Sequence, residues 1–151
     1  MDRRECLSVL GATAAGLAAV ATGSAQAQTQ AQEHPKLDKV HQACLDACSD
    51  CAQTCDMTFH HCARMLAEGK KEHARAMHMA ADCAEFCKLS ATMIARHSPL
   101  MVASCQACAE ACAACATACS KFDSPEMKAC ADSCKKCEES CREMVKSMGG
   151  K

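Results

Sequence analysis

The stretch CQACAEACAACATAC, residues 105–119, carries five cysteines at successive steps of three, four, three and four residues. An α-helix turns once every 3.6 residues or so, and this spacing therefore places all five thiols on one face. The residues between them are mostly alanine, which is the best helix former. The stretch predicts a helix whose inner face is sulfur.

The same spacing recurs in three other segments of the chain. Turn signals separate the four segments, which we predict as helices over residues 36–68, 72–97, 99–122 and 125–147. Short loops imply antiparallel neighbours, so the expected fold is all-α, an up-down-up-down four-helix bundle with a cysteine-lined core. The cysteines of the predicted core are Cys44, Cys48, Cys51, Cys55, Cys62, Cys83, Cys87, Cys105, Cys108, Cys112, Cys115, Cys119, Cys130, Cys134, Cys137 and Cys141.

Glycine, serine and proline mark the breaks between these helices. Gly69 suits a helix C-terminus, where a left-handed conformation is common. Ser98 and Ser124 each precede a proline, which is the pattern of an N-cap followed by the first helical position. These signals predict where the helices stop and start.

The composition shows that sulfur replaces the usual apolar core. Beyond residue 27 the chain has five Leu, one Ile, three Val and three Phe, which is twelve residues in 124. An ordinary globular core needs roughly 20% of such residues. A core of inert buried thiols would explain the packing but not the choice of sixteen oxidisable side chains. The net charge of −1 gives no basic field for nucleic acid.

The first 27 residues have the pattern of an export signal. Arg3 and Arg4 form a twin arginine, a mildly apolar run follows, and Ala25 and Ala27 give a small-residue cleavage pattern. We expect residues 1–27 to be a twin-arginine signal peptide, 28–35 a flexible segment and 36–148 the metal-binding bundle. The apolar run is too short and too weakly apolar to span a membrane. From the export signal, the expected location of the protein is the periplasm or cell envelope.

Disulfides and zinc fit the cysteine pattern poorly. Residues at i and i+4 on a helix have Cβ atoms about 5–6 Å apart, whereas a disulfide needs about 3.8 Å. Structural zinc sites use paired cysteines on turns, and few of them. An iron–sulfur cluster in a helical bundle, serving electron transfer or redox chemistry, remains the alternative, although the usual C-x2-C-x2-C-x3-C-P run is absent.

Cu(I) fits the pattern best, because it is soft and prefers thiolate and thioether ligands. Two cysteines at i and i+4 point the same way and can hold one ion. If thiolates bridge neighbouring ions, the capacity rises towards roughly one ion per sulfur. The seven such clamps are Cys44–Cys48, Cys51–Cys55, Cys83–Cys87, Cys108–Cys112, Cys115–Cys119, Cys130–Cys134 and Cys137–Cys141. Cys62 and Cys105 are left to pair across helices.

One end of the predicted bundle is richer in histidine and methionine than the other. The topology gathers there the end of the first helix, the start of the second, the end of the third and the start of the fourth. We expect copper to enter at this end. The candidate residues for that role are His61, Met65, His73, Met77 and Met127. The competing interpretation is that these histidines are simply exposed to solvent and these methionines simply pack in the core.

At this point the sequence resembles the bacterial copper storage proteins. The resemblance rests on the C-x3-C steps in every helix and on the stretches HHCARML, CSKFDSPEMKAC and CKKCEESC. It implies a four-helix bundle that holds many Cu(I) ions and assigns the entrance to His61 and Met65 by motif position. The twin arginine resembles that of the exported branch of the family, and the resemblance to this branch implies a tetramer.

The sequence therefore predicts a binding protein and not an enzyme. His61 and Cys62 are adjacent, and neighbours on a helix point apart, so they do not form a nucleophilic pair. The expected role is Cu(I) storage or sequestration, either to supply copper-requiring enzymes or chaperones or to remove toxic copper.

Overall fold

The computed structural model describes residues 36–149, and every regular element within that range is helical. The elements are α1 Lys39–Ala67, a 3-10 turn Lys71–His73, α2 Ala74–Ala95, α3 Met101–Cys119 and α4 Pro125–Gly149. Each α-helix packs against the one before and the one after it, and α4 packs back on α1. The predicted four-helix bundle is confirmed. The predicted signal peptide, 1–27, and segment 28–35 lie outside the described residues.

The ends of α1 follow the expected chemistry. Asp38 is the N-cap, and its carboxylate accepts the backbone N–H of His41 at 2.9 Å. At the other end Gly69 adopts φ +85°, and the N–H of Lys70 donates to the carbonyl of Met65 at 3.0 Å. This left-handed glycine satisfies carbonyls that the helix end leaves open.

The two serine–proline signals behave differently. Ser124 precedes a helix that begins at residue 125, as predicted, and its hydroxyl accepts the N–H of Met127 at 3.4 Å. Ser98 instead accepts the N–H of Leu100 at 3.2 Å, and α3 begins only at Met101. A hydroxyl that bonds the amide two residues on closes a local turn. This turn delays α3 by two residues relative to the predicted start at 99.

Within the described residues, α3 is the one helix long and apolar enough by composition to cross a membrane. Its buried residues, however, form one side of the cysteine core, and the helix packs against α2 and α4. The helix that carries the densest cysteine stripe has this composition because alanine fills the positions between the thiols.

The core of the bundle consists of sixteen cysteines with no solvent exposure, together with buried alanines. The largest fully buried side chains other than cysteine are Ile94, Met127 and Met144. They lie near the two ends of the bundle, so the middle of the core is filled by sulfur.

Candidate metal centre

Helices α1 and α4 face each other through a ladder of thiol pairs. Because the helices run antiparallel, each step of three or four residues along α1 is matched by an equal step back along α4. Four pairs result, each with an Sγ–Sγ distance of 3.7–4.0 Å. The pairs are Cys44–Cys141, Cys48–Cys137, Cys51–Cys134 and Cys55–Cys130.

Helices α2 and α3 form a second, shorter ladder. Its two thiol pairs are Cys83–Cys112 at 3.6 Å and Cys87–Cys108 at 3.5 Å. Beyond the ends of these helices, the ring of His73 lies against that of Phe122, with 4.3 Å between centroids. The remaining α3 thiols of this face lie opposite other residue types. By that register Cys105 is opposite Ser90, Cys115 is opposite Ala80 and Cys119 is opposite Ala76.

The two ladders meet in the middle of the bundle. Sulfurs on diagonally opposed helices also touch, with Cys44 and Cys105 3.9 Å apart and Cys83 and Cys134 3.9 Å apart. Several groups of four Sγ atoms lie within 4.8 Å of one another. A metal–thiolate bond of about 2.3 Å allows two sulfurs on one metal to be up to about 4.6 Å apart. The sulfur spacing therefore fits metal coordination.

These four-sulfur groups share members. Cys51 belongs to a group with Cys83, Cys87 and Cys112 and to another with Cys55, Cys83 and Cys134. No group is a separate site, because an ion bound to one group shares its ligands with the next. The arrangement favours bridging thiolates over a set of isolated centres.

The seven pairs predicted within single helices are no closer than the pairs between helices. Four of them have Sγ atoms 3.9–4.0 Å apart. Pairing across helices is therefore general in the core and is not restricted to Cys62 and Cys105. Cys105 contacts Cys44 as noted, whereas the thiol of Cys62 donates to the thioether of Met127 at 3.7 Å.

All sixteen cysteines of the described residues are free thiols. Because they are buried, the S–H groups have only each other as hydrogen-bond partners over most of the core. A free, buried, neutral thiol must lose its proton before it binds a metal ion. The structure therefore presents a reduced core in which metal binding and proton release are coupled.

The thiol pKa values depend on burial and on the neighbouring thiols. Burial raises the pKa of Cys62 to about 11. At Cys137 the interaction with Cys108 opposes ionisation, but interactions with Cys112, Cys141 and Cys48 outweigh it and lower the pKa to about 7. The neighbouring thiols therefore lower the pKa at some core positions and raise it at others, and a thiol with a raised pKa keeps its proton until a cation replaces it.

The histidine end of the bundle, defined here by His61, His73, Phe122 and Met127, has buried nitrogens without hydrogen-bond partners. The side chain of His61 is 13% exposed and His73 is 7% exposed, and their rings lie 6.1 Å apart. Within the described residues, Nε2 of His61 and Nδ1 of His73 have no hydrogen-bond partner, although Nδ1 of His73 lies 3.9 Å from the carboxylate of Glu72. Such nitrogens are costly to bury unless a ligand satisfies them.

Glu126 and Met127 complete the surroundings of His61 and Cys62 at the histidine end. The carboxylate of Glu126 lies 3.9 Å from Nδ1 of His61. Charge from His61 also helps to lower the pKa of Glu126, after the larger effect of its own backbone hydrogen bond. Met127 is fully buried and places its thioether against the first core thiol, Cys62.

The other residues proposed for copper entrance lie in different surroundings. Met65 is half-buried and its sulfur lies 3.4 Å from the ammonium nitrogen of Lys70. Met77 is half-buried and packs against the core. His60 and His78 are exposed to solvent. Within the candidate set, the contacts given above place His61 beside His73 and Met127 against Cys62.

The hydrophobic end, defined here by Ile94, Met101 and Met144, closes the opposite side of the core. Ile94 and Met144 are fully buried and Met101 nearly so. His41 lies nearby with its ring 6.4 Å from His97, and its Nδ1 is 2.8 Å from the carboxylate of Asp38. Apolar side chains fill this layer.

Sequence reasoning missed three residues of interest. Phe122 and Glu126 complete the histidine end, and their positions after α3 and at the start of α4 could have been read from the predicted topology. Ser90 continues the α2 stripe at the step after Cys87 and is fully buried. The same 3–4 periodicity that identified the cysteines marks it as a core position.

Comparison with known proteins agrees with this geometry. The family described as Csp, copper storage protein, matches residues 37–146. The Cu(I)-bound copper storage protein BsCsp3 is 33% identical, with a TM-score of 0.65 over 71% of this chain and 99% of that one.

Two further proteins are similar. The copper storage protein Ccsp of Streptomyces lividans, loaded with 10 copper equivalents, is 28% identical with a TM-score of 0.65 over 70% of this chain and 83% of that one. A copper storage protein of the same organism is described as cytosolic. The cysteine-rich protein YhjQ of Bacillus subtilis is 35% identical over 75 residues, which is 49% of this chain and 67% of YhjQ.

Proposed function

This chain belongs to the copper storage protein family, and from that premise we propose that it binds and stores many Cu(I) ions on the thiolates of its core. The observation that carries the proposal is the set of sixteen free, buried cysteines, twelve of which form two ladders of pairs with sulfurs 3.5–4.0 Å apart. Thiolate is the ligand that Cu(I) prefers, and no apolar packing requirement selects sixteen cysteines.

Charge balance favours a monovalent ion in this core. Each bound Cu(I) that displaces one thiol proton leaves the net charge of the interior unchanged, and a buried charge without a partner is costly. Since the four-sulfur groups share members, one thiolate can serve two ions. The protein would thus accumulate ions without accumulating buried charge.

An iron–sulfur cluster is the less favoured function. A single cluster uses four thiolates, whereas the shared groups run through most of the core, and the family matched is a copper storage family. The two functions differ in colour, because an iron–sulfur protein absorbs in the visible and Cu(I) thiolate is colourless. A storage role is non-enzymatic, and we propose no catalytic residue.

We further propose that copper enters at the histidine end. His61 and His73 supply imidazole nitrogens that lack partners, and Met127 supplies a thioether next to Cys62. Imidazole and thioether bind Cu(I) less tightly than thiolate does, so an ion can pass from them to the core. Met65 and Met77 would act further out, before the ion reaches His61.

Residues 1–27 support export by the twin-arginine route. We propose that the protein folds in the cytoplasm and is exported to the periplasm or cell envelope. There it would supply copper to enzymes or chaperones, or hold copper that is toxic when free. By resemblance to the exported branch, we propose a tetramer.

The test is an anaerobic Cu(I) titration of the reduced protein against a competing chelator. Sixteen cysteines give eight pairs, and bridging raises the count towards one ion per sulfur, so we expect about eight to sixteen tightly bound ions per chain. One or two tight ions would contradict storage. Visible absorption in the protein as purified would favour the iron–sulfur function.

A further inference from the structure

Ser90 is a fully buried hydroxyl in the sulfur core, and its Oγ has no hydrogen-bond partner. It lies on the inner stripe of α2 between Cys87 and Ile94. A buried hydroxyl that lacks a partner destabilises the protein, and each such group in a folded protein calls for an explanation.

Other hydroxyls in these helices avoid that cost. They donate to the carbonyl one turn earlier at 2.7–2.9 Å, as serine and threonine commonly do within helices. The residues that do so are Ser49, Thr54, Thr58, Thr117 and Ser120. Ser90 has the same option through its own helix and does not use it.

The register of α2 against α3 identifies what Ser90 faces. Cys87 contacts Cys108, so the next step of three residues along α2 reaches Ser90 as the matching step back along α3 reaches Cys105. Cys105 in turn lies 3.9 Å from Cys44, which lies 3.8 Å from Cys141. In this layer three helices supply a thiol and the fourth supplies a hydroxyl.

We propose that the sulfurs of Cys44, Cys105 and Cys141 hold one Cu(I) ion, which displaces the proton of Cys105, and that the Ser90 hydroxyl donates a hydrogen bond to the Cys105 thiolate so formed. The proposal rests on the Cu(I)-storage function proposed above. In the metal-free protein Cys105 is a neutral thiol and a weak acceptor. Loading converts it to a thiolate, which is a strong, charged acceptor, and the hydroxyl then gains the partner that it lacks.

This arrangement lets Ser90 favour the loaded state over the empty one. The hydroxyl destabilises the metal-free protein and stabilises the thiolate form of the site. Ser90 acts through Cys105 and is a positioning residue, not a ligand. The layer lies next to the hydrophobic end, so it would be the site most distant from His61 and His73.

The test compares Ser90→Ala with Ser104→Ala. Ser104 is also buried on the core side, but its hydroxyl donates to the carbonyl of Met101 at 2.9 Å, so it is the matched control. We expect Ser90→Ala to raise the thermal midpoint of the metal-free protein, because it removes an unpaired polar group. We expect Ser104→Ala to lower that midpoint.

For the copper-loaded protein we expect the opposite sign at Ser90. Chelator competition should show one ion per chain held about tenfold less tightly in Ser90→Ala, the effect of losing one hydrogen bond to a charged acceptor. Ser90→Cys places a fourth thiol in the layer and should restore tight binding of that ion. A purely structural role would shift the empty and loaded proteins in the same direction.

The outcomes separate this inference from the proposed function. If the wild-type protein binds no copper, storage itself fails. If the wild type fills normally, either of two results overturns the Ser90 inference. The first is that Ser90→Ala matches the wild type in copper affinity. The second is that Ser90→Ala lowers the midpoint of the metal-free protein, as Ser104→Ala does. An ordered water bound to Ser90 would produce that second result.

Discussion

At the histidine end of the bundle, His61 and His73 bury ring nitrogens without partners, whereas at the hydrophobic end Ile94 and Met144 fill the same position in the core with apolar side chains. Both ends border cysteines with no solvent exposure. Near the hydrophobic end, the buried Nδ1 of His41 instead lies 2.8 Å from the carboxylate of Asp38.

This difference makes the two ends of the sulfur core chemically distinct, although the cysteine stripes look alike along the bundle. By the entry route proposed above, the imidazole nitrogens of His61 and His73 would bind copper between water and Cys62, whereas Ile94 and Met144 offer no such ligand atom at the core. Stability and copper transfer are therefore assigned to opposite ends, and substitutions can separate them.

The largest expected effect is on the stability of the metal-free protein. Ile94→Ala should lower the free energy of unfolding by about 2–5 kcal/mol, the usual cost of removing a buried aliphatic side chain. His73→Ala should change it by about 1 kcal/mol or less, because the lost packing against Phe122 is offset by removing an unpaired nitrogen. Urea unfolding under reducing conditions measures both. Equal losses at the two ends would remove the distinction.

The next effect concerns pH. The folded pKa of Cys62 is about 11, raised by burial, so the unfolded thiol ionises first as pH rises. The unfolded state then binds fewer protons, and stability present at pH 8 is lost as pH approaches 11. We expect a loss of about 2 kcal/mol from this thiol between pH 8 and 10.5.

Cys62→Ala isolates that contribution. Urea unfolding of the variant and the wild type at both pH values should show a smaller loss in the variant, by the amount above. The same loss in both proteins would show that Cys62 does not control the alkaline limit at the histidine end.

A smaller effect is expected on the rate of copper loading. The double variant His61→Ala with His73→Ala should take up Cu(I) about tenfold more slowly, equivalent to about 1.4 kcal/mol of barrier, with an unchanged final count. Stopped-flow transfer from a coloured Cu(I) chelator measures the rate. Met144→Leu at the hydrophobic end is the control and should load at the wild-type rate. Slower loading in the control alone would reverse the assigned direction.

The smallest effect comes from the thioethers. Met127→Leu and Met144→Leu conserve volume, and each should cost less than about 1.5 kcal/mol of stability. Only Met127→Leu removes a sulfur next to Cys62, so it alone should slow transfer, and by less than the double histidine variant. Identical loading curves for the two variants would remove Met127 from the path.

The number of helices and the residues that face the core were predictable because the 3–4 spacing of cysteines has one structural interpretation. The start of α3 was not, because Ser98 can cap a helix or close a turn, and the choice depends on how α2 ends. The contact of Met65 with Lys70 could not be predicted either, because it depends on the turn that Gly69 makes.

The sequence could not predict which cysteines pair across helices. A repeat of threes and fours looks the same after a slide of seven residues, so the stripes alone do not fix which thiols meet. The contacts of Cys83 with Cys112 and of Cys87 with Cys108 fix the register of α2 against α3. Only the structure shows that the Ser90 hydroxyl has no hydrogen-bond partner, because its residue type and position permit a bond within its own helix.

The most direct test of the central claim is an anomalous difference map at the copper edge, from crystals of the reduced protein grown with Cu(I) under anaerobic conditions. We predict copper peaks between the α1–α4 and α2–α3 ladders, each within bonding distance of at least two cysteine sulfurs. Peaks confined to exposed histidines such as His60 and His78, with a metal-free cysteine core, would contradict it.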